Sequence, residues 1–234
     1  MSDFNDRADY EVSEDAAIVL EYGTANQTVV KGLTKLGFPS ITRNTNTVSA
    51  FRTQVDIDVA TSAKFGTIPF SGNEVATDLK GQRQLKRYLK NNERIQNMRI
   101  YRNLVDFLTV DLANDPQAAL QVTKYAPGPA DKNGVWSFDG EIICSGRPAT
   151  FLSHLTGDGI AFVATGNKVT DADAGFIKAG FEAGQTLIVE GSTSNNGQFL
   201  IKTVAAGELT LESTVKAVVD EPAGDEVTLH GGEL

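Results

Sequence analysis

Few side chains in this sequence could do chemistry, and their spacing does not favour it. His154 and His230 are the only histidines, and neither belongs to a metal-ligand motif. Cys144 is the single cysteine, which excludes an internal disulfide and a thiolate zinc site; beside Ile142 and Ile143 it reads as a small hydrophobe in a strand. No zincin, dithiol, nucleophile-elbow, P-loop or dinucleotide fingerprint is present. Asp139 and Glu141, two residues apart, would share one face of a strand, a spacing open to a glycosidase and equally to ordinary surface acids. Asp171 and Asp173 in TDADAG resemble the opening of a calcium loop, but the glutamate that closes an EF-hand loop is missing, which leaves a polar loop as the plainer reading. The inventory predicts no catalytic residue, no cofactor and no metal site, and hence no enzyme.

The elements that would carry these residues are mostly strands. The exception is residues 71–92, where Leu85, Tyr88 and Leu89 recur at helical spacing and Gln82 and Leu79 extend the same face backward. Lys80, Arg83, Lys86, Arg87 and Lys90 occupy the remaining positions. Thr77 and Asp78 offer a capping oxygen and a carboxylate for the positive end of the dipole, so a helix over 78–91 is predicted. Leu79, Leu85, Tyr88 and Leu89 would pack it on a sheet. The clearest strand alternation places Phe51, Val55, Ile57 and Val59 on one face, with Arg52, Gln54, Asp56 and Asp58 on the other. Asp56 and Asp58 would line a channel if this sheet enclosed one, and would otherwise simply face solvent. Residues 60–72 read as a long connection, because Pro69 argues against a central strand. Strands are expected over 98–101, 106–112, 120–125 and 135–145, the last two flanking a loop rich in Pro and Gly.

Length and charge point to two units. A chain of 234 residues exceeds the usual single domain. Its formal charge of −9 is concentrated at the C-terminal end, where residues 154–234 hold four basic and twelve acidic side chains. An acidic arm over 1–16, a first domain over 17–153 and a small all-β domain over 154–234 are therefore expected. Five short strands separated by glycine turns make the last a small barrel or sandwich. No apolar run spans a membrane, no anchor is expected, and the acidic start lacks a signal-peptide core, which predicts synthesis in the cytoplasm. The overall class is mainly β, a sandwich or barrel domain with one flanking helix followed by a small β-domain.

The residues also carry a resemblance. The string FSGNEVATDLKGQRQLKRYLKNN at 70–92, followed by the strand at 98–101 and VWSFDGEIICSGRPATF at 135–151, resembles the major tail tube proteins of long-tailed bacteriophages. Asp78, Gly81, Gln82 and Leu85 occupy the matching helix-entry positions. Residues 175–211 resemble small β-domains appended to phage tail proteins. The resemblance implies a structural virion protein whose hexameric rings stack into a tube through which DNA passes into the host without specific binding. It implies contact with tape-measure, tail-terminator and tail-tip proteins, and a place in the virion tail after a period in the host cytoplasm. Segments 43–50, 64–72 and 126–134 would then dock on neighbouring subunits. The competing reading is a β-rich carbohydrate-binding or decoration module, for which Trp136, Tyr101 and Tyr125 are the candidate aromatics.

Overall fold

The computed structural model describes residues 16–48, 57–130 and 134–233. Apart from Ala16, the expected arm lies outside the described residues. In chain order the elements are β1 (Ala17–Leu20), β2 (Thr28–Val29), β3 (Leu33–Leu36), β4 (Ile41–Val48), β5 (Ile57–Phe65), β6 (Ile68–Asn73) and α1 (Gln82–Asn91). They continue with β7 (Arg99–Tyr101), β8 (Phe107–Val110), β9 (Ala119–Ala130), β10 (Trp136–Ser145), β11 (Pro148–Gly157) and β12 (Ile160–Val163). The last are β13 (Lys168–Asp171), β14 (Thr186–Glu190), β15 (Gly197–Ala205), β16 (Glu208–Leu211) and β17 (Val227–Glu233). The chain is mainly β, with antiparallel sheets and one α-helix among the described residues.

Two compact units share these elements. One comprises Met1–Val29, Gln96–Ala119 and Gly146–Leu234; the other comprises Val30–Ile95 and Leu120–Ser145. The first is built on an eleven-stranded sheet in the order β12-β13-β16-β15-β14-β17-β11-β8-β7-β1-β2. The expected boundary near Ser153 falls inside β11, which pairs with β8 through Pro148–Phe151 and with β17 as far as Gly157. Residues 160–229 do carry a core of their own, including Phe162, Phe176, Phe181, Leu187, Phe199 and Leu229. Strands β11 and β17 nevertheless continue that region into the sheet that holds β1, β7 and β8.

Strand β14 shows how the sheet serves two cores. Side chains alternate along a strand, so Leu187 and Val189 enter the C-terminal core while Ile188, on the other face, packs with Phe107, Ala149 and Phe151. A register shift between Phe151 and Ser153 is a bulge, which resets the alternation of β11. Phe107 and Phe151 stack with centroids 5.0 Å apart. All four residues of β8 are buried, because this part of the sheet is covered on both faces.

The second unit holds a four-stranded sheet in the order β3-β6-β10-β9, the helix, and a separate two-stranded ribbon of β4 and β5. Residues 68–73 are thus a central strand where a connection was expected. Pro69 is accommodated because its carbonyl accepts from Gly37 N–H at 2.8 Å, just past the end of β3. The missing proline N–H points the same way, past the last residue of β3 at Leu36, so it removes no bond from within the β3–β6 ladder. A Cβ on Gly37 would lie 2.7 Å from the Pro69 ring, so glycine is what allows this approach.

Candidate functional site

Within the second unit, the helix start is tied to the strands by two side chains. Asp78 is buried and its carboxylate accepts from the backbone N–H groups of Lys31, Gly81 and Gln82 at 3.0, 2.8 and 3.0 Å. It therefore satisfies orphan donors at the helix N-terminus and favours its positive end, although it lies before the helix instead of in its first turn. Gln82 is also buried; its amide donates to the carbonyls of Lys31 and Asn73 at 2.8 and 2.9 Å and accepts from Val75 N–H at 3.1 Å. Gly81 has no room for a side chain, since a Cβ would collide with the Asp78 carboxylate. The Asp-Gly-Gln positions picked out by the sequence thus form one hydrogen-bonded knot joining helix, strand end and loop.

The packing face is shorter than expected. Leu85 and Tyr88 are buried, at 0% and 2% exposure, and Leu89 is half-buried. Leu79 lies ahead of the helix in a turn and is 56% exposed; the helix begins at Gln82, and polar Gln82 takes the inward place one turn before Leu85. Asn92 ends the helix in the left-handed region at φ 52°, a conformation its side chain tolerates.

Of the two channel-facing candidates, Asp56 lies outside the described residues, and Asp58 pairs with Thr47 in the ribbon. Strands β4 and β5 pair from Ile41–Phe65 to Val48–Ile57, and among the described residues neither pairs with a third strand. The segments expected as docking loops belong largely to strands: Arg43 to β4, Lys64 to β5 and residues 126–130 to β9.

In the first unit, the residues that sequence spacing left unconnected come together on one face of the sheet. His154 on β11 lies directly opposite His230 on β17, with Nδ1 to Nδ1 at 2.9 Å. His154 Nε2 is 2.8 Å from Asp106 Oδ1, and His230 Nε2 is 3.3 Å from Glu190 Oε2. Glu190 also pairs with Arg99 and accepts from the Tyr22 hydroxyl at 3.1 Å. The Arg99 guanidinium lies 3.5 Å from the Tyr22 ring centroid and 4.1 Å from that of Phe107, a cation held between two aromatic faces. Burial pushes the Glu190 carboxyl up, but the His230 hydrogen bond and the Arg99 charge outweigh it and hold the group down at about 2. No local motif announces this cluster, because its histidines are 76 residues apart and meet only through strand register.

The other candidates stand apart from it. Asp171 accepts from the N–H groups of Asp173 and Gly175 at 3.1 and 2.6 Å, so its oxygens order the TDADAG turn. Among the described residues no group of three or more His, Cys, Asp or Glu side chains is placed to hold a metal ion. Asp139 is exposed, and Glu141 pairs with Lys124 at 3.5 Å. Trp136 is 56% exposed, whereas Tyr101 packs on Phe107 and Tyr125 stacks on Phe138 with centroids 5.3 and 5.0 Å apart.

Comparison with known proteins adds resemblances of fold. No protein-family model matches the chain, and no curated protein matches it. A chain from the virion of a native gene transfer agent particle is similar at 13% identity and a TM-score of 0.44, over 60% of this chain and 98% of its own. A chain from the tail of the empty particle, refined with C6 symmetry, is similar at 13% identity and a TM-score of 0.46, over 59% and 97%. A chain from the baseplate of the anti-feeding prophage is similar at 14% identity and a TM-score of 0.41, over 58% and 93%.

Proposed function

We propose that this chain is a non-enzymatic structural subunit of a phage or phage-like tail, whose copies close into hexameric rings that stack into a tube for DNA. The observation that carries this reading is the β4–β5 ribbon. A two-stranded ribbon is marginal in water by itself, and β4 and β5 add no third strand from the described chain. A neighbouring copy would complete it by adding strands to its edges or covering its face. The Asp78–Gly81–Gln82 knot supports the same reading, since the residues that carry the tail-tube resemblance act together in anchoring the helix. Under this reading Asp56 and Asp58 face the lumen, where carboxylates would leave passing phosphates unbound. Tape-measure, terminator and tip proteins would be the partners at the ends of the tube, and residues 154–234 would be its outer module.

Shortening the ribbon tests the proposal. Replacing residues 43–63 by a short Gly-Ser turn joins Thr42 to Lys64, which are already paired. The expected outcome is a folded chain that sediments as a monomer where the intact protein forms rings. Equal self-association of both proteins would overturn the assignment of the ribbon to assembly.

A further inference from the structure

The two histidines of the first unit present a proton-counting problem. His154 and His230 meet Nδ1 to Nδ1 at 2.9 Å, while their Nε2 atoms lie 2.8 and 3.3 Å from the carboxylates of Asp106 and Glu190. All four ring nitrogens are engaged in three contacts, and each contact needs a proton between two atoms that otherwise oppose lone pairs. Two neutral imidazoles supply two N–H groups, and ionised carboxylates supply none. Three contacts require three protons.

We infer that His154 and His230 together hold one proton more than two neutral rings, forming an imidazole–imidazolium pair whose shared Nδ1–H···Nδ1 bond locks the β11–β17 seam in one protonation state.

Charge balance supports this count. Among the described residues, the carboxylates that meet the pair are Asp106 at one end and Glu190 at the other. Arg99 and the Tyr22 hydroxyl lie on Glu190, and the Tyr101 hydroxyl is 3.4 Å from Arg99. Among the described residues, these two carboxylates and Arg99 together carry one negative charge in a largely buried cluster; the added proton removes it. Burial lowers the proton affinity of His154, opposed by its bond to Asp106, and His230 lowers it further.

The arrangement is sensitive in both directions. A further proton sets two N–H groups against each other at 2.9 Å and leaves the cluster with a net charge. Loss of the shared proton leaves two facing lone pairs. Because β17 links β11 to β14, loosening this seam loosens the junction between the C-terminal strands and the rest of their sheet.

Magic-angle-spinning NMR of the full-length protein, labelled with ¹⁵N at histidine, reads the count directly and does not require a monomer. At about pH 7 the expected result is three protonated ring nitrogens and one unprotonated, with a correlation between the two Nδ1 atoms. Two unprotonated nitrogens, or none, would overturn the inference. On acidification, the unprotonated signal should vanish together with shifts of the amides of Leu229, His230 and Gly231. Titration of the rings with those amides unmoved would overturn the lock.

Discussion

Asp78 illustrates how one buried carboxylate can organise several backbone segments. Three N–H groups from two separate stretches of chain converge on it, and removing it would strand donors that water reaches poorly. Replacement of Asp78 by Ala is expected to lower stability by on the order of 3 kcal/mol, measured by urea unfolding, with Asp78→Asn retaining part of the difference. Glu190 makes a second residue-scale prediction. Its folded-state carboxyl sits at about 2, below the ordinary 4.5. The stability it contributes is complete above the ordinary glutamate range and is lost as pH falls from there through about 2. Unfolding free energies across this window should therefore fall less steeply for Glu190→Gln than for the unchanged protein. Equal slopes would show that the Arg99–Glu190–His230 contacts do not stabilise the fold. His154 adds a loss of the same sign at higher pH: its folded state resists protonation, so stability declines as pH drops through and below the ordinary histidine range.

Among the elements, the helix shows what periodicity can reveal. Its face was legible because Leu85 and Tyr88 sit one turn apart and both are buried. Its start was not, because Asp78 caps from outside the helix, and a leucine in the preceding turn has the same spacing as one inside it. Leu85→Ala should cost about 2–5 kcal/mol, whereas Leu79→Ala should stay within about 0.5 kcal/mol; equal effects in thermal unfolding would contradict this assignment. Strand β6 was hidden by Pro69, whose meaning depends on where its neighbouring strand ends. The histidine pair was hidden more deeply. The alternation of β17 places His230 opposite the core residue Leu229, but the sequence alone does not supply the register with His154. The bulge near Ser153 that resets β11 likewise has no local signature.

For the whole molecule, the change in composition near residue 153 falls inside a strand of a continuous sheet. The region beyond residue 153, where acidic side chains outnumber basic ones, has its own apolar core. It also contributes β14 and β17 to a sheet continued by β11, β8, β7 and β1. Truncation after Ser153 would remove Ile188 from its packing with Phe107 and Phe151, and Thr186 from its hydrogen bond to buried Asp111 at 2.7 Å. The truncated chain is expected to lose cooperative unfolding of the first unit, followed by near-UV circular dichroism and hydrogen exchange. A cooperatively folded truncation would instead show that residues 17–153 form an independent domain. The proposed ring joins these scales, because neighbours would complete a ribbon that pairs with no third strand among the described residues. Electron microscopy of the purified protein over a concentration series tests that claim most directly. Six-fold rings, or hollow tubes of stacked rings, are the predicted result; particles that remain monomeric up to the highest soluble concentration would contradict it.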